Sequence, residues 1–476
     1  MKSVALHNLG CKVNSYEIDV MQQMLQEKGY KIVSFDKKAD IYIVNTCTVT
    51  NIADRKSRQM LHRAKKMNPE AVVVATGCYV QTGEEEIVLD DAIDLAVGNN
   101  KKKELVSILE SFLAERDQQK QVDNTNTVHS ANTVHVVNTI HYMNTVHVVN
   151  RADLKTMHHT TIIDINDTDE YEELFLKQTS EHTRAYIKIQ DGCNQFCSYC
   201  IIPYARGRVR SRSMEDIILE ISNLCVSGYK EVVLTGIHIS SYGVDFEKRP
   251  MLLELIQKIN QIEGVERIRL GSLEPRIVTE EFAKSIGELT KICPHFHLSL
   301  QSGCDETLKR MNRRYSASEY EQGVSLLRKY FVNPAITTDV IVGFPGETEE
   351  EFLQTREFVE KINFSEMHIF PFSKRQGTKA AEMKEQIKEE IKKSRSAELL
   401  ALEKKHSQQY RMSQIGKIMP VLFEESKEID GIVYQVGHTT NYVKVMVQKA
   451  ESLTNQIVDC LMEKEAESGC LMGVIQ

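Results

Sequence analysis

Over residues 1–117, short apolar runs alternate with stretches of helical periodicity. The runs fall at Val4–His7, Ile41–Val44, Val72–Ala75 and Leu95–Val97, and helical spacing covers Ser15–Glu27, Ala53–Lys66, Gly83–Leu89 and Lys102–Glu115. Such alternation predicts a parallel sheet covered on both faces. Asn14 followed by Glu17 reads as a capping box at the first helix, with Asn in the capping role. From Arg184 to about Phe372 the alternation resumes. Strands are expected at Tyr186–Gln190, Glu231–Gly236, Arg267–Ser272, His295–Leu300, Thr338–Phe344 and Glu366–Phe372. Six such units predict an open, barrel-like α/β domain rather than a closed eight-unit barrel. Residues 382–410 are charged and helical, and the chain then switches to short alternating runs such as Ile432–Val436 and Tyr442–Val447. That change of period predicts a small all-β barrel at the C-terminus.

The expected division is therefore an N-terminal α/β domain (1–117), a linker (118–182), a central α/β core (183–381), a helical connector (382–411) and a β-barrel (412–476). The linker carries a six-residue repeat, Asn126–His129, Asn132–His135, Asn138–His141 and Asn144–His147, without Lys, Arg, Asp or Glu from Asn124 to Asn150. An even period puts the histidines on one face of an extended chain, where they could bind metal. Composition instead favours a low-complexity linker. The uncharged, β-prone sequence is also an aggregation hazard.

At 476 residues the chain can bury several cores without disulfides. Its apolar runs are too short to span a bilayer, and the N-terminus lacks the apolar region of a secretory signal, so no membrane association and a cytoplasmic location are expected. A net charge of −8 excludes a generally basic nucleic-acid coat; any such contact must use local patches. Eleven cysteines, an odd number without a signal, point to a reducing compartment and to metal binding or chemistry.

The densest chemistry is Cys193-Asn-Gln-Phe-Cys197-Ser-Tyr-Cys200, directly after a predicted strand. Three thiolates in eight residues can each hold a different iron of one iron–sulfur cube and leave a fourth iron open. Zinc is the alternative, but a structural zinc site wants four ligands, and His182 is far upstream for a fourth. Cys11, Cys47 and Cys78 each lie just beyond the C-terminal end of a predicted parallel strand, the edge where ligands of open α/β sheets collect. Alone, each reads as a small buried thiol. Three at equivalent strand ends should converge and suit a second cluster with an open iron. Cys225, Cys293, Cys460 and Cys470 read as structural thiols, and Cys304, near a strand exit, reads as packing.

The Cys193 run resembles the radical S-adenosylmethionine superfamily. With GCKVN, NTCTVT, GCNQFCSYCIIPYARG and VVLTGIHISSYG, the chain outside the linker resembles the methylthiotransferase family, and within it the enzymes acting on threonylcarbamoyladenosine in tRNA. The resemblance implies two 4Fe–4S clusters. Cys193, Cys197 and Cys200 would hold the one that cleaves S-adenosylmethionine to a 5′-deoxyadenosyl radical. Cys11, Cys47 and Cys78 would hold an auxiliary cluster carrying the sulfur to be inserted. It also implies a C-terminal TRAM barrel, tRNA as partner through its anticodon stem-loop, and methylthio transfer to C2 of the adenosine. Family alternatives are isopentenyladenosine in tRNA and a ribosomal-protein aspartate; a non-enzymatic iron–sulfur or zinc RNA-binding protein is the alternative of another class.

A seat for S-adenosylmethionine is expected at the C-terminal ends of the core strands, with Thr235, Gly236, Glu274, Gln301 and Gly343 as candidates. Gly343 in Gly343-Phe-Pro-Gly346 reads equally as a turn. Arg206, Arg208, Arg210 and Arg212 alternate, so an extended backbone would line them up for RNA phosphates. Residues 54–66 form a second basic patch, with a net charge of +5. The barrel segment carries −4, so RNA binding there would rest on Tyr434, His438, Asn441, Tyr442 and Lys444 rather than on charge, and these read equally as ordinary barrel residues.

Overall fold

The computed structural model describes residues 1–83, 86–87, 89–126, 159–177, 183–466 and 469–476. The four histidines of the repeat lie outside the described residues.

Strands β1 (Ser3–Asn8), β2 (Lys31–Val33), β3 (Ile41–Thr46), β4 (Val72–Gly77), β5 (Leu95–Val97) and β6 (His159–Thr161) pair in parallel in the order β2-β1-β3-β4-β5-β6. Alternate residues of each strand enter different cores. Val4, Ile41, Ile43, Val72 and Val74 face one way with Met21, Leu25 and Leu109, whereas Ala5, Tyr42, Val44, Val73 and Ala75 face the other with Leu61 and Ala64. Burial on both faces is why these strands read as near-continuous apolar runs. Helices α1 (Lys12–Glu27), α2 (Asn51–Met67) and α3 (Cys78–Thr82) follow β1, β3 and β4. The order in which strands are added reverses at β1, so the switch point of the sheet lies between β1 and β3.

Two expectations are corrected here. Helix α1 begins at Lys12 with Cys11 at its N-cap, so Asn14 and Glu17 are not a capping box; both are buried inside the helix and engaged by Arg206. The segment read as a linker also contributes structure. A helix spans Leu105–Asn126, β6 extends the sheet, and Leu174 and Leu176 bury against Tyr16 and Val20.

The central core carries β7 (Arg184–Asp191), the short antiparallel β8 (Arg210–Ser211), β9 (Glu231–Gly236), β10 (Arg267–Leu270), β11 (His295–His297), β12 (Ala335–Val342) and β13 (Glu366–Pro371). β10-β9-β7 and β11-β12-β13 are parallel sets, joined by the bridges Ile268↔Ile292 and Leu273↔Leu298 into one open sheet of six parallel strands. Helices fill the intervals, two of them starting with capping boxes, Ser316–Glu319 and Thr348–Glu351.

A helix over Glu389–Met412 leads to β14 (Ile418–Ile429), β15 (Ile432–Thr439), β16 (Lys444–Gln448), β17 (Ile457–Glu465) and β18 (Leu471–Ile475), a closed barrel in the order β14-β15-β16-β18-β17. The β14–β15 hairpin turns through Asp430 and Gly431, both at positive φ, as a two-residue hairpin favours. The architecture is thus mixed α/β with a C-terminal β-barrel, as the hydrophobic pattern implied. Among the described residues no helix is long and apolar enough to cross a membrane.

Candidate active site

Cys11, Cys47 and Cys78 sit at the C-terminal ends of β1, β3 and β4, three adjacent strands beside the switch point. Glycines shape the approach. Gly77 takes φ +98°, and a Cβ there would lie 2.5 Å from the Thr46 carbonyl, so only glycine lets β4 turn into the helix that begins at Cys78. At Gly10 (φ +119°) a Cβ would come within 3.2 Å of Cys47 Cβ, which shows how near the Cys11 loop lies to Cys47. Ser57 Oγ takes a hydrogen bond from the Cys47 N–H and donates to its carbonyl, both at 3.2 Å. Solvent reaches Cys11 as a residue, although dense protein surrounds its thiol; Cys47 and Cys78 are buried. Burial, with lesser effects from the neighbouring thiols, pushes Cys47 up to about 11, and burial first also raises Cys11.

The Cys78 sulfur accepts an N–H from Arg206 Nε at 3.1 Å, with Asn99 Nδ2 at 3.8 Å. Cys11 Sγ points to Asn14 Oδ1 at 3.6 Å, which also accepts from Arg206 Nη2 at 2.8 Å.

The second triad lies on the loop after β7. Gly192 takes φ +71°, and a Cβ there would sit 1.7 Å from the Arg208 carbonyl oxygen, a clash that excludes every other residue. Backbone bonds from Cys193 N to Gly207 O and from Cys200 N to Cys197 O, each 3.0 Å, close the loop. Asn312 Nδ2 donates to the Phe196 carbonyl at 2.9 Å and Ser198 Oγ to the Arg310 carbonyl at 2.8 Å. Arg313 donates from Nη1 to Cys197 Sγ at 3.1 Å and from Nε to Tyr315 Oη at 3.0 Å. Burial pushes Cys193 up to about 11 and Cys200 up to about 12, with Cys197 adding to both.

Among the described residues, no three His, Cys, Asp or Glu side chains gather closely enough to bind one metal ion. The donor chemistry of each triad, three free thiols, suits a cube that offers each a separate iron. In both triads an arginine N–H rests on one sulfur, Arg206 on Cys78 and Arg313 on Cys197.

Of the expected cofactor contacts, Thr235 and Gly236 end β9, Glu274 follows β10 and Gln301 follows β11, all on the edge that carries the Cys193 loop. Glu274 accepts from Arg276 Nε at 2.8 Å, and Gln301 holds φ +68° while pairing with β12. Gly343 turns at φ +68°: a Cβ there would lie 2.3 Å from Lys392 Cγ, and its N–H bonds Glu347 Oε2 at 2.7 Å.

Sequence reasoning missed His238, two residues beyond Gly236. Its backbone N–H bonds Gln190 Oε1 at 2.8 Å, Nδ1 lies 2.7 Å from Ser241 Oγ, and the buried Nε2 has no partner among the described residues. Burial, then Arg313 and Arg276, push its pKa down to about 4, so the ring is neutral. The GIHISS run was the available signal. Arg313 was missed as well; nothing local marks a residue 116 positions from Cys197 as its donor.

The arginine ladder is corrected. Arg206, Arg210 and Arg212 are buried, and only Arg208 is exposed, its guanidinium 4.5 Å over the Phe196 ring. Arg206 ends a helical turn and pairs with Glu17 and Asp191; Arg212 pairs with Glu220; Arg210 donates to the Arg206 carbonyl at 2.9 Å. Buried carboxylates hold the Arg206 and Arg212 guanidinia inward, and a backbone carbonyl holds that of Arg210. In the α2 patch, Arg63 binds Asp36 at 2.6 Å and Lys65 binds Asp94 at 2.8 Å, leaving Arg55, Lys56 and Lys66 exposed.

Three of the barrel side chains weighed for RNA contact, His438, Asn441 and Tyr442, have partners at the junction of the barrel with the rest of the chain. Tyr442 stacks on His438 at 4.7 Å and on His295 at 4.8 Å, with Arg269 at 4.7 Å and Arg184 at 5.1 Å over its ring. Asn441 Nδ2 donates to Tyr410 Oη at 2.9 Å. Near this junction is Lys12, beside Cys11; burial, then Arg269 and Arg184, push its pKa down to about 8, and it makes no ion pair among the described residues.

The family model described as the radical SAM superfamily matches residues 187–359, and one described as uncharacterized protein family UPF0004 matches residues 3–98. The threonylcarbamoyladenosine tRNA methylthiotransferase MtaB of Bacillus subtilis (strain 168) is 38% identical over 459 residues, covering 96% of this chain and 93% of the relative. Its namesake in Aquifex aeolicus (strain VF5) is 39% identical over 90% of this chain and 94% of its own. A tRNA-2-methylthio-N(6)-dimethylallyladenosine synthase of Thermoanaerobacter pseudethanolicus is 34% identical, over 96% and 93%. Among solved structures, the radical S-adenosylmethionine methyltransferase TsrM from Kitasatospora setae matches with a TM-score of 0.51 at 15% identity, covering 78% of this chain and 73% of its own. That likeness shows the fold alone.

Proposed function

This chain belongs to the methylthiotransferase family of radical S-adenosylmethionine enzymes, and from that premise we propose that it adds a methylthio group to C2 of N6-threonylcarbamoyladenosine beside the anticodon of tRNA. The observation that carries the substrate is the identity of 38% and 39%, over nine-tenths of the chain, to two relatives named for threonylcarbamoyladenosine. Lys12 supports it: the threonyl group bears a carboxylate, the dimethylallyl group does not, and an ammonium beside Cys11 with no ion pair among the described residues suits the former.

In this reading Cys193, Cys197 and Cys200 hold the cluster that works with S-adenosylmethionine, and Cys11, Cys47 and Cys78 hold the auxiliary one. When bound, these groups supply the one-electron chemistry that an unacidic C2–H requires and the site that carries sulfur. The chain's own residues bind and orient. Arg313 holds the Cys197 sulfur, and the Gly192 turn aims the loop. Thr235, Gly236, Glu274, Gln301 and His238 line the strand ends where S-adenosylmethionine would sit; the neutral His238 Nε2, without a partner among the described residues, can hydrogen-bond it. The anticodon stem-loop is the part of tRNA that reaches this edge, and the cytoplasm is where such a substrate is met.

The test offers reconstituted protein, S-adenosylmethionine and reductant two tRNAs, one carrying threonylcarbamoyladenosine and one dimethylallyladenosine. Product on the first alone supports the proposal; product on the second alone overturns it.

A further inference from the structure

Arg206 lies in the radical core, yet its side chain ends at the other cysteine triad. It is fully buried, and every N–H direction of its fork is taken. Nε donates to Cys78 Sγ at 3.1 Å, Nη1 to Glu17 and to Asp191 at 3.2 Å, and Nη2 to Asn14 Oδ1 at 2.8 Å and Glu17 Oε2 at 3.1 Å. Asn14 Oδ1 in turn lies 3.6 Å from Cys11 Sγ. Asp191 ends β7, two residues before Cys193. One guanidinium therefore touches Cys78, the partner of Cys11 and the strand that presents the second triad.

The surrounding charges do not cancel. Glu17 Oε1 is 2.9 Å from Lys188 Nζ and its Oε2 3.2 Å from Lys102 Nζ, while Lys188 Nζ lies 2.6 Å from Asp191 Oδ2. Three buried cations, Arg206, Lys102 and Lys188, meet two buried carboxylates, and Arg210 adds a cation behind Arg206. A buried surplus of positive charge needs an anion nearby. On the Nε side of Arg206 that acceptor is a cysteine sulfur, which becomes a thiolate when it ligates iron.

We propose that Arg206 is a positioning residue of the N-terminal cluster site: its Nε–H fixes the Cys78 sulfur and its charge raises the reduction potential of the cluster held there, while Glu17 and Asp191 tie that site to the radical core. This rests on the reading that Cys11, Cys47 and Cys78 hold an iron–sulfur cluster. Hydrogen bonds and positive charge at a ligating sulfur favour the more negative, reduced state of a cluster. A merely structural ion pair would support the fold and leave that potential unmoved.

The experiment is a redox titration followed by electron paramagnetic resonance, on full-length protein in which Cys193, Cys197 and Cys200 are all alanine, so that the remaining cluster is observed alone. Arg206→Gln should lower the ratio of reduced to oxidised cluster at fixed potential about tenfold, a midpoint shift of about 59 mV to the negative side. Arg206→Lys keeps the charge that Glu17 needs but lacks the Nε–H that faces the sulfur, so it should shift the midpoint the same way by less. If the Gln variant does not fold, the Lys variant decides. Folded variants with full iron and a wild-type midpoint would overturn the inference. Absence of iron with Arg206 intact would overturn the cluster reading itself.

Discussion

The Glu17 carboxylate and the Arg206 guanidinium meet across 189 residues of sequence, both fully buried, with Arg206 Nη2 3.1 Å from Glu17 Oε2. The pair joins helix α1 of the N-terminal domain to the short helix Ile202–Arg206 after Cys200.

Removing one partner leaves uncompensated buried charge. Glu17→Gln should destabilise the protein by about 3–5 kcal/mol, read as a lower urea midpoint. Burial alone would raise the Glu17 pKa, but Arg206, Lys102 and Lys188 outweigh it and hold the carboxyl well below its usual range. A carboxyl depressed in the folded state contributes stability that is present above its unfolded pKa, about 4.3, and is lost as pH falls toward the folded value. The urea midpoint of the apoprotein should therefore fall below about pH 4.3, and less steeply in Glu17→Gln. An equally steep acid limb in both proteins would contradict this role.

Gly192→Ala should displace the loop that bears Cys193, because its Cβ would lie 1.7 Å from the Arg208 carbonyl oxygen. Anaerobic reconstitution should then drop from about eight irons per chain to about four, the same loss as changing all three cysteines of that loop to alanine. Retention of all the iron would show that the loop is not a cluster site.

Arg208 and Arg210 stand two residues apart and should behave oppositely. Arg208 is exposed; if it contacts phosphate, Arg208→Ala should lower the magnitude of the salt slope of tRNA binding by roughly 0.7–0.9. Arg210 is buried with a hydrogen bond to the Arg206 carbonyl, so Arg210→Ala should lower the melting temperature first. Binding curves across a salt series, alongside thermal unfolding, separate the two.

Lys12→Gln should leave iron content unchanged and weaken kcat/KM for threonylcarbamoyladenosine tRNA by about 10- to 150-fold, the equivalent of about 1.5–3 kcal/mol for a hydrogen bond to a charged group. Activity on a tRNA lacking the threonyl carboxylate should not change. Equal losses on both substrates would assign Lys12 to the fold.

What the sequence displayed was local. Glu231–Gly236 reads as a strand and is β9, because its residues are buried on both faces and carry the pattern themselves. The strand-end positions of Cys11, Cys47 and Cys78 were equally legible, since a parallel sheet puts those ends on one edge. β2 and β6 were not: each is three residues long, at a sheet edge, with Lys31 or two threonines in place of an apolar run. The capping-box pattern at Asn14 and Glu17 was real as a pattern, but Arg206 claims both side chains from 189 or more positions away. The alternation of the arginines was visible and its direction was not. Which way a guanidinium points depends on carboxylates such as Glu17, Asp191 and Glu220, and those come from other elements.

The most direct measurement is mass spectrometry of tRNA nucleosides from a strain lacking this gene, with and without the gene restored. Deletion should remove the 2-methylthio form of threonylcarbamoyladenosine and leave threonylcarbamoyladenosine itself in its place. Restoring the wild-type gene should return it, and restoring Cys47→Ala or Cys197→Ala should not. A deletion strain that keeps 2-methylthio-threonylcarbamoyladenosine while losing the methylthio group from dimethylallyladenosine would contradict the proposed substrate.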